Sequence, residues 1–491
     1  MLRKIFERVA QADPQREALV DREERISYGE LARRTSCMAR LLHERGVRPG
    51  DRVAAGLPNC WEFAAGFLAC GGLGAIWSPF PTEWRASEIG WLARRLSPRI
   101  LVTSSALLPR WQESGAIPEA AIVIDDSITR DALRRSTPLS GPHPDDDAPC
   151  LCMATSGSTG RPRLVYRSGR NVLASAENAG GALGVRPGMR LVSVVPFCFG
   201  GGFNNCLAMP LFCGLTAILL PAFHPSELAS AVKREQAELL MGSPRIYTML
   251  LDSDVARSSL ASLRVCLSFG APIAPEVVHG CLDRLGINVR QLYGCTETGA
   301  IAIQPKDVPF QPGLAGRPVA STRVFILDED GAPLPADRTG AVAVSGPAVI
   351  TSYHDHTPLD EPRFRDGMFR TGDLGCIDRS GLLMLRGRTK PLINAGGVKV
   401  DPVEVEEVLR ELTAVADCVA RGERDERQGE VVTAVLVMRP GCSLDRREII
   451  EHCRKRLAEY KIPRRITFAD SPAATITGKR TMNWTTEEQA E

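Results

Sequence analysis

Residues 155–171 read TSGSTGRPRLVYRSGRN, a run of glycine, hydroxyl and cationic side chains set between apolar segments. Gly157 and Gly160 let backbone N–H groups come close to an anion, Ser156, Ser158 and Thr159 add hydroxyl donors, and Arg161 and Arg163 add charge. Polyphosphate is the natural guest of such a loop. Two rival readings fail on spacing. A Walker A loop needs Gly-Lys followed by Ser or Thr, and the single Gly478-Lys479 is followed by arginine. A nucleophile elbow needs GxSxG, which Gly157-Ser158-Thr159-Gly160 does not supply.

Outward from this loop, composition bounds the problem. A chain of 491 residues exceeds one ordinary core, so two or more domains are expected. Net charge is +2 with both signs mixed, which gives no footprint for nucleic acid or a membrane surface and favours a small-molecule partner. The longest near-apolar run, Ala64 to Trp77, is broken by glycines and shorter than the roughly 20 residues that span a bilayer. The opening MLRKIFERVAQ lacks the apolar centre of a signal peptide. Fifteen scattered cysteines without a CxxC pair read as buried thiols of a cytoplasmic protein, and the seven histidines give no clear metal spacing. Only eight of 60 basic residues are lysine, so Lys390, Lys399, Lys461 and Lys479 merit individual attention.

The hydrophobic periodicity predicts an α/β chain. Ser27-Tyr-Gly-Glu30 is a capping box that opens a helix running to Gly46. The tetrad Val47-Arg-Pro-Gly50 leads into RVAAGL and returns as Val185-Arg-Pro-Gly188 leading into RLVSVVP, which hints at two similar layers. Alternating helix and strand of this kind predicts a large N-terminal domain of layered, mostly parallel sheets covered by helices. The last hundred residues read as a small α+β domain: a helix from Asp401-Pro402 with Val405, Val408, Leu409 and Leu412 on one face, a buried strand GEVVTAVLVM, and an amphipathic helix over REIIEHCRKRLAEYK. The domains expected are 1–389 and 390–491.

The phosphate loop also resembles that of the adenylate-forming (ANL) superfamily, which contains acyl-CoA synthetases, peptide-synthetase adenylation domains and beetle luciferases. Further motifs similar to that family follow in order: SFGAP at 268–272, YGCTE at 293–297, FRTGDLG at 369–375, GRTKPLINAGG at 387–397, LAEYKIPR at 457–464 and TITGK at 475–479. The resemblance implies a reaction in two halves. A carboxylate attacks the α-phosphate of ATP to give an acyl adenylate and pyrophosphate, then a thiol, here that of coenzyme A, displaces AMP.

The resemblance also assigns roles. Nucleotide contacts fall to Thr155, Ser156, Gly157, Ser158, Thr159, Gly160 and Arg163, to Gly270, Ala271 and Pro272, and to Tyr293, Gly294 and Cys295. Tyr293 would stack on adenine, Asp373 would accept from the ribose hydroxyls and Arg388 would lie nearby. Thr296 faces the phosphates and Glu297 holds Mg2+. Lys479 places an ammonium between the acid and the α-phosphate, reducing their repulsion. Lys390 is the hinge about which the small domain turns, bringing Gly396 and Gly397 to a thiol tunnel. The acyl pocket is drawn from Phe199, Gly200, Gly201, Gly202, Asn204, Ser243, Tyr247 and Ser268.

Three positions depart from the family pattern: Arg163 for lysine, Phe199 for histidine, and Pro391 for an acidic residue after the hinge, where it restricts Lys390 to extended conformations. Gly200–Gly202 either widen the pocket for a bulky aromatic, alicyclic or polycyclic acid or serve tight packing. The leading expectation is a freestanding acyl-CoA ligase, monomeric or homodimeric, with no carrier-domain serine motif after the small unit. An enzyme of one half-reaction acting on a supplied adenylate, a protein that loads a carrier, and a non-catalytic adenylate binder stay open beside it.

Overall fold

The computed structural model describes residues 2–135, 145–155, 163–353, 363–388, 392–425, 429–439 and 441–469. Contacts divide the chain into two units, with the change at Pro391/Leu392. In the first unit a six-stranded sheet runs in the order Ala120–Val123, Ile100–Thr103, Arg52–Gly56, Ile76–Pro79, Pro149–Thr155, Arg163–Ser168. All its pairings are parallel except the last, which is antiparallel and sets Thr155 opposite Arg163. A second sheet of fourteen strands has a parallel centre and an antiparallel wing.

Between the two sheets lie the helices Tyr28–Glu44, Trp61–Leu73 and Gly169–Leu183, and one apolar cluster unites them with both sheets. The apolar run 64–77 is explained by this position: the helix Trp61–Leu73 is buried on nearly every side, and Gly66 lies flat against the Trp77 ring. Its N-terminus is capped from a distance, since Cys60 offers no side-chain bond and Asp21 accepts the Trp61 N–H at 2.9 Å. Among the described residues no helix is long and apolar enough to cross a membrane. All fifteen cysteines are free thiols, and only Cys442 is exposed.

Ser27 caps the helix as the spacing predicts, its Oγ accepting the Glu30 N–H, but the Glu30 carboxylate accepts from Arg33 and Arg34 in place of closing the reciprocal half of the box. The repeated VRPG is a structural repeat. Gly50 donates to the carbonyl of Gly74 at 2.7 Å, and Gly188 to that of Gly214 at 2.8 Å. All four glycines have positive φ, 84°, 71°, 89° and 76°, conformations that side chains resist. Each pair locks a turn before one parallel strand to the end of the helix before the next, in register Arg52↔Ile76 and Arg190↔Thr216. One joint therefore serves both sheets.

The second unit is an α+β fold. Val398–Val400, Ile393–Ala395, Gly429–Met438 and Val415–Asp425 pair antiparallel, Arg465–Ala469 joins Gly429–Met438 in parallel, and the helices Pro402–Arg410 and Arg446–Arg454 cover the sheet. The C-terminal amphipathic pattern is shorter than expected. The helix stops at Arg454, Ala458 turns extended at ψ 151°, and a separate 3₁₀ turn covers Glu459–Lys461. That break buries the Lys461 ammonium against Glu404 at 2.7 Å in the neighbouring helix while Leu457 and Ile462 enter the core.

The Glu62 carboxyl is raised from an ordinary 4.5 to about 7, chiefly by burial. The folded chain then holds an excess proton between those values, so this group's contribution to stability falls as pH rises through that window. Glu62→Gln is expected to remove this decline. Melting of the variant and the parent at pH 5 and pH 8 should show a relative gain at pH 8 of up to about 3 kcal/mol, on the order of the shift itself.

Candidate active site

Four adjacent parallel strands set the site. In spatial order Arg190–Ser193, Leu239–Gly242, Val265–Ser268 and Val289–Cys295 run side by side, so their C-terminal ends share one edge. From that edge leave the Phe199–Asn204 segment, Ser243, the Phe269–Pro272 turn and the Thr296–Thr298 turn. Ligand sites of open α/β sheets lie in such a crevice. Motifs up to a hundred residues apart in sequence are thus neighbours because parallel crossovers return every strand in the same direction.

Among the residues expected to hold the nucleotide, the Tyr293 hydroxyl donates to Asp373 Oδ2 at 2.6 Å. Burial first, and the Asp373 carboxylate next, push the phenol well above its ordinary range, so it remains a donor. Asp373 faces Arg388 across the strand pair Met368–Ile377 and Leu383–Arg388. Gly294 has no room for a side chain, lying against the Gly299 carbonyl in the hairpin that follows. Gly270 takes φ +86°, and Ala271 and Pro272 continue an open turn.

Glu297 is buried, and its Oε1 accepts the Tyr353 hydroxyl at 2.8 Å while its backbone carbonyl accepts the Ile350 N–H at 3.0 Å. Arg163 places its guanidinium 4.9 Å from the Tyr353 ring centre. Tyr353 thus joins the phosphate-loop flank to the carboxylate expected to hold metal. Sequence reasoning missed it, because a tyrosine after an apolar run carries no signal of its own.

The Phe199–Asn204 segment, expected to line the acyl pocket, runs into a π-helix, Gly202–Ala208, a geometry common at functional sites. Its glycines settle the two readings of GGG in favour of packing. A Cβ on Gly200 would stand 2.6 Å from Thr296 Oγ1; on Gly201 it would enter the Phe269 ring; on Gly202 it would enter the Pro196 carbonyl. The volume they give up is taken by protein. Tyr247 also departs from expectation: it packs in a second apolar cluster across the sheet, and its hydroxyl is spent on the carbonyls of Leu240 and Leu267 at 3.0 and 2.8 Å. It belongs to the core rather than beside Phe199–Asn204. Ser268 is fully buried at the strand end, and Ser243 is the N-cap residue of the next helix.

Two further side chains brace this segment. Asn59 donates to the Val195 carbonyl at 3.0 Å and accepts the Phe197 N–H at 2.9 Å. Arg167, fully buried, donates to Asn204 Oδ1 at 2.6 Å and to the carbonyls of Asn171 and Ala348 at 2.9 and 3.2 Å. Burial brings its guanidinium down to about 10, leaving it charged at neutral pH. Inside a strand, RLVYRS, an arginine reads as a surface residue, so sequence alone gave no warning.

Ser156, Gly157, Ser158, Thr159, Gly160, Lys390 and Lys479 lie outside the described residues, as does the side chain of Arg388. Gly396 and Gly397 form the two-residue turn of the hairpin Ile393–Ala395/Val398–Val400, with φ +62° and +93°. A turn with both central residues at positive φ is reason enough for the pair.

Family models of the "AMP-binding enzyme" and of its C-terminal domain match residues 6–354 and 404–479. The chain belongs to the AMP-binding enzyme family. It is an AMP-forming ligase of the adenylate-forming superfamily, with the mixed α/β fold of that group. It is 32% identical to a feruloyl-CoA synthase of Amycolatopsis over 92% of each chain, and 30% identical to an indoleacetate–CoA ligase of Aromatoleum aromaticum over 97% and 96%. Among solved structures, a double mutant of o-succinylbenzoate CoA synthetase from Bacillus subtilis, bound with a product analogue, matches with a TM-score of 0.87 at 26% identity over 97% and 96% of the two chains.

Magnesium suits the donors present. No group of three or more His, Cys, Asp or Glu side chains could hold a metal among the described residues, whereas a single hard carboxylate such as Glu297 suffices for an ion held largely by phosphate oxygens and water.

The glycine contacts make a graded prediction. Gly202→Ala meets a backbone carbonyl that cannot move aside, and should lower stability by about 2–4 kcal/mol. Gly201→Ala meets a ring, and should recover most of its loss in a Phe269→Leu background. Thermal melting of the two alanine variants, each alone and in the Phe269→Leu background, checks both; equal rescue of Gly202→Ala by Phe269→Leu contradicts the packing.

Proposed function

We propose that this chain is an acyl-CoA ligase that activates an aromatic or alicyclic carboxylic acid as its adenylate and passes the acyl group to the thiol of coenzyme A. The observation that carries the proposal is the shared strand edge, which gathers the Tyr293–Asp373 pair, Thr296, Glu297 and the Phe199–Asn204 segment. The names of the relatives above support the CoA acceptor and an aromatic acid. The partly buried Phe199, in place of a polar histidine, gives the acid an apolar wall.

In the first half-reaction the acid's carboxylate oxygen bonds to the α-phosphorus of ATP and the bond to the β-phosphate oxygen breaks, releasing pyrophosphate. Hydroxyl and N–H donors of the 155–160 loop, Arg163 and Thr296 bind the phosphates, Asp373 takes the ribose, and the Tyr293 ring lies along the base. Glu297, its carboxylate fixed by the Tyr353 hydroxyl, would hold Mg2+, which would supply charge neutralisation on the phosphates. The Lys479 ammonium screens the approaching anions. In the second half-reaction the CoA sulfur attacks the acyl carbonyl and AMP leaves, after the small unit turns at Lys390 and brings Gly396-Gly397 in place of Lys479. Proline after that hinge makes the turn the step to watch.

The deciding experiment follows pyrophosphate with ATP and Mg2+ over ferulate, indole-3-acetate, a steroid-ring propanoate and a medium-chain fatty acid, with and without CoA, and identifies products by mass spectrometry. Acyl-CoA from a cyclic acid is expected. Pyrophosphate release without any acyl-CoA contradicts the CoA acceptor, and a clear preference for the fatty acid contradicts the acid class. Lys479→Ala should lose pyrophosphate release by about 100-fold or more while still making thioester from a supplied acyl adenylate. Equal loss of both steps contradicts the alternation of the two units.

A further inference from the structure

Arg167 stands out among the buried charges. It is fully buried, and its three partners are an amide oxygen and two backbone carbonyls. Among the described residues no carboxylate lies within ion-pair distance of it, and Glu297 acts on it only from further off. Its Nε is buried without a partner. Burying a cation among neutral oxygens costs several kcal/mol of desolvation, and replacing buried ionic groups by well-packed apolar residues is often neutral or stabilising. Folding alone therefore does not account for an arginine here.

Its donors point to another role. Nη1 holds Asn204, in the π-helix of the acyl segment. Nη2 holds the Ala348 carbonyl, and the flanking carbonyls of Pro347 and Val349 accept from Asn171 Nδ2 at 2.9 and 3.2 Å. That clasped stretch continues directly to Ile350 and Tyr353, which bond the backbone and the carboxylate of Glu297. One planar fork thus grips the acyl segment with one nitrogen and, with the other, the strap that fixes Glu297. Gly200 leaves no room for a Cβ beside Thr296, so the segment that carries Asn204 also packs closely on the turn that carries Glu297.

We infer that Arg167 is a positioning residue that couples the acid site, through Asn204, to the metal-and-phosphate turn, through the 347–353 strap and Glu297. The inference rests on the functional reading above for the identity of the two sites. Its mechanism is geometric: a guanidinium can hold both segments in one plane, and a lysine, with the same charge but a single ammonium, cannot.

The test separates the two arms. Binding of Mg2+ and α,β-methylene-ATP is measured by calorimetry, and the KM of the best panel acid by pyrophosphate release, with melting temperature as the control for folding. Arg167→Lys should weaken Mg2+-dependent nucleotide binding and raise the acid KM, each on the order of tenfold, since each loses a charge-assisted hydrogen bond. Asn204→Ala should raise the acid KM and leave nucleotide binding unchanged. Asn171→Ala should weaken nucleotide binding and leave the acid KM within about twofold. If Arg167→Lys does not fold, the two asparagine variants decide: split effects support the coupling, and effects that move together or vanish overturn it. Arg167→Lys that folds and shifts only one arm, or neither, also overturns it. A parent chain that binds the nucleotide but turns over no acid refutes the functional reading; the inference is then decided on nucleotide binding, which Arg167→Lys must weaken and Asn204→Ala must spare.

Discussion

The site depends on a single constraint: parallel strands release their loops at one end. Four neighbouring strands of the large sheet deliver the acyl segment, Ser243, the 269–272 turn and the 296–298 turn to the same edge. A sheet with any of these strands reversed would send its motif to the opposite face, whatever residues it carried. The repeated Gly50–Gly74 and Gly188–Gly214 joints hold that order, since each fixes the turn into one strand against the helix end before its neighbour.

Polar braces then convert a shared edge into a fixed geometry. Asn59, Arg167, Asn171 and Tyr353 each reach segments distant in sequence with side-chain donors or acceptors, and those distant partners are loop carbonyls, a loop N–H group or site side chains. Buried polar groups that are satisfied in this way specify one arrangement of loops more sharply than apolar packing would. The glycines act in the same sense. Gly200, Gly201 and Gly202 let the Phe199–Asn204 segment sit flush on Thr296, Phe269 and Pro196, so they draw it onto the 296–298 turn.

Local signals were legible wherever the cause was local. The N-cap at Ser27, the strand GEVVTAVLVM and the α+β character of the last hundred residues all follow from period and capping, and the structure has them. The repeated VRPG was legible as a phrase, and its meaning as a joint needed the partner glycines. Where a tertiary contact outweighed the pattern, the sequence misled. The C-terminal helix ends at Arg454 because Lys461 pairs with Glu404, and Tyr247 left the acyl list because its hydroxyl is committed inside the sheet.

The sequence by itself determined the family, the α/β class and the order of the motifs, because phosphate binding demands glycine, hydroxyl and cation at short spacing, and that pattern is local. Tertiary structure alone decided that the three glycines are packing surfaces, that Tyr353 holds Glu297, and that Arg167 lies between the acyl segment and the strap. Apart from Gly202 on Pro196, those are contacts between residues dozens to nearly two hundred positions apart. No periodicity or spacing encodes which strands will be neighbours until the whole sheet has assembled.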